Sequence, residues 1–110
     1  MSDSSTPSAS IVLSTAGSPE EAARISHELV ERRLAACVNR VPGVTSVYRW
    51  QGAIEESAEV LLIIKTSSVK LTALEAALRE LHSYEVLEFV VLQVADGSRP
   101  YLDWLFAAVE

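Results

Sequence analysis

The sequence predicts a ferredoxin-like α+β domain. Its elements run strand, helix, strand, strand, helix, strand, forming a four-stranded antiparallel sheet with a long central hairpin and an extra C-terminal helix. Three observations carry this. Runs of β-branched residues alternate in split-βαβ order with two stretches of helical periodicity. The hairpin "VYRWQGAIEESAEVLLIIKT", Val47 to Thr66, is longer than such a domain needs. Two of the strands are apolar on both faces.

Ser10 to Ala16, "SIVLSTA", reads as the first strand, ended by Gly17. Ser18 is the expected N-cap of a helix, with Pro19 at its first position and Glu21 completing a Ser-x-x-Glu capping box. Ala22, Ile25, Leu29 and Leu34 keep helical spacing to about Leu34. From Ala36 the texture turns to strand, and Pro42-Gly43 predicts a bulge or bend. Gln51-Gly52 makes the hairpin turn, and the return strand runs from about Ile54 to Thr66. The second helix follows Ser67-Ser68, either of which can cap it, and shows Leu71, Leu74, Leu78 and Leu81 on one face. "HSYE" ends it. Glu88 to Ala95 is the last core strand, and "SRPYLDWLFAAVE" a short helix with Pro100 and Asp103 near its start.

The 110 residues make one domain, residues 10–110, behind a disordered leader, residues 1–9. Net charge is −6, and no basic run exceeds Arg32-Arg33. Phosphate backbones and anionic membrane surfaces both require clustered base, so nucleic acid and membrane are not expected partners. "MSDSSTPSA" has neither the basic start nor the apolar stretch of an export signal, and Cys37 has no second cysteine to pair with. A cytoplasmic location is the expectation.

The hairpin's length asks for an explanation. Val60, Leu62 and Ile64 point one way, while Leu61 and Ile63 point the other; Val90, Leu92 and Val94 likewise oppose Phe89 and Val91. A sheet with helices on one face alternates apolar and polar residues, and these strands do not. At ~3.3 Å per residue the return strand extends about 43 Å. A compact chain of this size is only about 34 Å across. The hairpin should overhang its own domain and join others in a closed homo-oligomer. Glu55, Glu56 and Glu59 near the turn are placed to meet Arg49 or a neighbour's basic groups.

Few residues offer chemistry. His27 falls opposite the apolar stripe and reads as a surface residue. Cys37, in an apolar setting, reads as inert core; nucleophilic catalysis would need a nearby histidine or another means of lowering its pKa. His82 ends a helix; with Glu85 or Glu88 and Cys37 it offers N, O and S ligands suited to copper or zinc, though no pair has diagnostic spacing. Tyr48 and Trp50 share a strand face and suit either a stacked ligand or a subunit interface. Lys65 either snorkels outward or faces a polar cleft for an anion. There is no glycine-rich phosphate loop and no visible nucleophile-base pair.

The stretches "LAACVN", "SVYRWQG", "LLIIKT", "LHSYEV" and "YLDWL" closely resemble the CutA family of divalent-cation tolerance proteins. The resemblance implies a ferredoxin-like subunit in a tightly packed homotrimer, similar in architecture to PII signalling proteins. It also implies a link to copper and other divalent metals. Cys37 matches the cysteine of "LAAC" and His82 the histidine before "YE"; Trp50, Lys65, Tyr84, Glu85, Tyr101 and Trp104 match other signature positions. Ser83 and Leu87 stand where the family usually has proline, so that loop is expected to be less rigid. The resulting expectation is a non-enzymatic homotrimer that responds to divalent metals and binds copper, with Cys37, His82 and Glu85 as ligands. The alternative is a PII-like sensor of a small anion or nucleotide, its inter-subunit clefts lined by Arg49, Trp50, Lys65 and Tyr84. A small hydrolase and a partner-docking scaffold are more distant rivals.

Overall fold

Residues 7–110 are described in the computed structural model of the chain; the first six residues of the expected leader lie outside them. The elements are β1 (Ala9–Ala16), α1 (Pro19–Glu31), β2 (Cys37–Trp50), β3 (Ala53–Ser67), α2 (Leu71–Leu81), β4 (Val90–Gln93) and α3 (Arg99–Ala108). The sheet is antiparallel in the order β2-β3-β1-β4, the ferredoxin-like arrangement.

Local chemistry explains most boundaries. Ser18 Oγ accepts from the Glu21 N–H at 3.1 Å, and Pro19 supplies the first helical position of α1. The helix stops at Glu31, short of Leu34, because Arg33 adopts a left-handed backbone at φ 58°. Leu34 N–H then donates to Leu29 O and Arg33 N–H to Val30 O, a Schellman closure with arginine in the place usual for glycine. At the hairpin, Gln51 (φ 48°) and Gly52 (φ 82°) are both left-handed, the geometry that matches strand twist. Gly43 (φ 76°) sits in the expected bulge, where the pairing with β3 shifts between Val41 and Val44.

Three expectations need correction. Neither Ser67 nor Ser68 caps α2; a 3-10 turn over Ser68–Lys70 intervenes, and Ser68 is instead hydrogen-bonded to Ser8 through both backbone and hydroxyl. Ser8 is tied to Ser68 and Ala9 opens β1, so the first strand starts one residue before the expected Ser10. The last strand covers Val90–Gln93 only, because β1 pairs with it only from Ser10 to Leu13. Leu87 and Phe89, ahead of it, leave the ladder and pack against the core.

That core lies between the sheet and both longer helices. Val12, Ala16, Val60, Leu62 and Ile64 meet Ile25, Leu29, Leu74 and Leu78, nearly all fully buried. The other face is covered at one end only, where Leu105 and Val109 near and in α3 bury Ala9 and Ala36. Beyond α3, Ile11, Leu13, Leu61 and Ile63 are half-buried, and Val90 and Leu92 are each 47% exposed. The expected overhang is present too. β1 reaches only to Val60 of β3, so residues 53–59 pair with β2 alone, and the molecule measures 45 × 29 × 24 Å.

Candidate functional site

Where β1 ends at Ala16, the hairpin continues and the segment after α2 packs alongside it. Between them lies a cavity of about 860 Å³. One wall is hairpin: Ser46, Tyr48, Arg49, Trp50, Ser57 and Glu59. The other is Tyr84, Glu85, Val86, Leu87 and Glu88, with Thr15 and Gly17 at the base.

His82 fixes the second wall. Past Leu13, β1 has no β4 partner, and the Thr15 carbonyl is taken by His82 Nε2 at 2.6 Å. A carbonyl only accepts, so Nε2 carries the proton. His82 Nδ1 then accepts from the Tyr84 N–H at 3.1 Å. Both ring nitrogens of this buried side chain are engaged by backbone, which defines one neutral tautomer. Glu21 adds a second tether. One carboxylate oxygen accepts from Gly17 N–H and the other from Ser83 N–H at 3.0 Å. Burial raises the Glu21 pKa, but hydrogen bonds from Ser83 and Gly17 outweigh it and hold the carboxyl below its ordinary value. The serine expected to loosen this loop is thus anchored by an N–H that a proline at 83 would lack.

Tyr84 reaches across to the hairpin. Its hydroxyl donates to Glu59 Oε2 at 2.7 Å. Burial pushes Glu59 up, yet the Ser46, Tyr84 and Thr15 hydroxyls together bring its pKa below the ordinary carboxylate value. Burial and the Glu59 carboxylate in turn hold the Tyr84 hydroxyl protonated well above the usual phenol range. The result is a negative charge, held by the Tyr84 hydroxyl, beside aromatic walls.

Of the residues expected to act, Arg49, Trp50, Tyr84 and Glu85 line this one cavity. Lys65 does not. It pairs across the ladder with Cys37 and Ile11 on the open face, under no part of the cavity. His27 is exposed on α1, as expected. Cys37 is half-buried rather than core, its thiol 4.0 Å from Asn39 Oδ1.

The proposed ligands Cys37, His82 and Glu85 do not converge within one chain. Cys37 lies opposite Lys65 of β3 and Thr15 opposite Leu61, so thiol and imidazole are separated by four residues along the strand and two strand spacings across it. That is roughly 13 Å by about 10 Å, far beyond the ~2 Å of metal-ligand bonds. Among the described residues no group of three or more His, Cys, Asp or Glu side chains could hold a metal ion. Sequence reading missed Glu59 as a site residue and did not single out Thr15, Ser46 or Ser57. Only Glu59 left a signal: it is the last carboxylate before the buried Val60.

Comparison with known proteins agrees with the fold. Residues 10–108 match the family model described as CutA1 divalent ion tolerance protein. The chain is 52% identical over 95 residues to a divalent-cation tolerance protein CutA of Thermus thermophilus, covering 86% of this chain and 92% of that one. It is 52% identical over 81 residues to a CutA homolog of Xenopus laevis, covering 74% of this chain but only 54% of the longer relative. Among solved structures, CutA from Xylella fastidiosa superposes with a TM-score of 0.92 at 40% identity, over 94% of this chain and 99% of that one.

Proposed function

Because the chain belongs to the CutA1 divalent ion tolerance family, we propose that it works as a non-enzymatic homotrimer in the response to divalent metal ions. The single observation that carries the assembly is the half-covered sheet. Leu13, Leu61, Ile63, Val90 and Leu92 form an apolar face that one α3 cannot hide, next to an unpaired β4 edge. A closed ring of copies would bury that face and use the hairpin overhang. Native mass spectrometry tests it: a trimer is expected, and a monomer at micromolar concentration would remove the proposal. The non-enzymatic reading draws support from the separation of Cys37 and His82, which puts that pair out of reach for nucleophilic chemistry.

Copper binding belongs to this reading in a narrowed form. With both His82 nitrogens engaged, Cys37 is the sulfur ligand left among the described residues. It sits on the face that a neighbouring copy would cover, so a copper ion there draws its remaining ligands from across the boundary. In a copper titration, Cys37→Ser should abolish tight binding, whereas His82→Ala should keep it and lower stability. A cytoplasmic location, in keeping with a lone thiol, is part of the proposal and is checked by cell fractionation.

A second reading is favoured by the cavity. Walls of Trp50, Tyr48 and Tyr84 around a preset carboxylate suit a small-molecule sensor, whose ligand would be completed or covered by a neighbouring subunit. Ligand-dependent thermal shifts that vanish in Trp50→Ala test it.

A further inference from the structure

The residues that line the cavity are poorly suited to an anion or nucleotide. We infer that the cavity between the hairpin and the segment after α2 takes a small organic cation, an amine or quaternary ammonium with an apolar body. This rests on the cavity being a binding site.

Charge is the first argument. Three carboxylates, Glu59, Glu85 and Glu88, line the cavity against one guanidinium, that of Arg49. Arg49 stands between Tyr48 and Trp50 on β2, so strand alternation turns its side chain to the face opposite theirs. Lys65, the other basic group expected there, is absent from the lining. An anion would meet net negative charge.

The aromatic walls are the second argument. Tyr48 and Trp50 project from one strand face, and Tyr84 closes from the opposite wall. Ring faces attract cations, Trp most strongly, and quaternary ammonium groups are recognised this way. Glu59 supplies the counter-charge and is ionised at neutral pH, since hydroxyl donors hold its pKa low. Tyr84 is anchored twice, by its hydroxyl on Glu59 and its N–H on His82, so its ring is preset before a ligand arrives.

Size and donor chemistry exclude a bare metal ion as the natural occupant. The cavity of about 860 Å³ is far larger than a dehydrated ion, and no set of three ligating side chains converges in it. Glu59 already accepts from the Tyr84 hydroxyl. A ligand with an ammonium head and a hydrocarbon body uses both the charge and the apolar lining of Val86 and Leu87.

Isothermal titration of the assembled protein with tetramethylammonium, choline and spermidine, set against ATP, citrate and phosphate, tests this. At least one of the three cations should bind. Glu59→Gln and Trp50→Ala should each weaken it about tenfold or more, and Glu85→Gln less. Should Trp50→Ala disturb assembly, Glu59→Gln, which preserves size, decides alone. Binding of ATP or citrate that Trp50→Ala removes, with no cation binding, would leave the cavity as a site and overturn the cation. Cation binding unchanged in both variants overturns the inference as well. Silence from every compound would remove the cavity reading itself.

Discussion

The two faces of β3 carry nearly the same chemistry and meet different fates. Val60, Leu62 and Ile64 are buried beneath α1 and α2, Leu62 and Ile64 completely. Leu61 and Ile63, interleaved with them, stay half-buried on the side that α3 reaches only at its end. Identical side chains on one strand differ because cover differs. Burial is a property of what lies above the residue, and here one chain has material for one face and a fraction of the second.

The largest expected effect is Leu62→Ala. Removing a fully buried leucine leaves a cavity and should cost about 3 kcal/mol by urea denaturation. Ile63→Ala should cost under about 1 kcal/mol in a dilute monomer, and clearly more at concentrations where copies associate. Equal losses at every concentration would break the contrast between faces. Ile63→Lys goes further, and should shift the assembly to monomer in light scattering while the helix-covered core stays folded.

Tyr84→Phe comes next. It deletes the 2.7 Å bond to Glu59 and should cost about 1–2 kcal/mol, with the Glu59 pKa rising in a carboxyl NMR titration. Glu59 and Glu21 both have folded pKa values below the ordinary 4.5. Folding therefore favours their ionised forms. Their contribution is complete above about pH 4.5 and is lost as pH falls through the lower folded values. Glu21→Gln and Glu59→Gln should each make stability less dependent on pH in that acid window. An unchanged profile in both would refute the clamp role.

Smaller effects probe the local geometry. Arg33→Gly should stabilise by about 0.5–1 kcal/mol, because the left-handed backbone at φ 58° favours glycine. Glu75→Ala, which removes an exposed pair with Arg79, should cost no more than about 0.5 kcal/mol in thermal melts. A larger loss there would mean that the helix surface is also covered.

Legibility followed the range of the forces involved. Short-range signals were readable: the Ser18-Pro19-Glu21 start of α1, the Pro42-Gly43 bulge and the Gln51-Gly52 turn each act within a few residues, and each appears. The missing second cover was also readable, since it is stated by alternation alone. What sequence concealed depends on tertiary position. Nothing in "HSYE" says that His82 completes a ladder that β4 leaves short, or that Ser83 will hang from Glu21 sixty-two residues earlier. Nor does the Glu-rich stretch say which of Glu55, Glu56 and Glu59 will meet Tyr84. That depends on where β1 stops. The helix boundary at Glu31 was missed for a different reason: arginine in a left-handed closure carries no glycine signal.

The short β4 has a consequence for how the polypeptide comes together. The hairpin of β2 and β3 pairs neighbours in sequence and can form early, whereas β1 must wait for β3 and then for residues 90–93, some eighty positions downstream. On a ribosome the first strand emerges long before its outer neighbour exists. Until the final twenty or so residues are made, one side of β1 is an open template, and nascent copies on a shared message would meet each other with those edges bare.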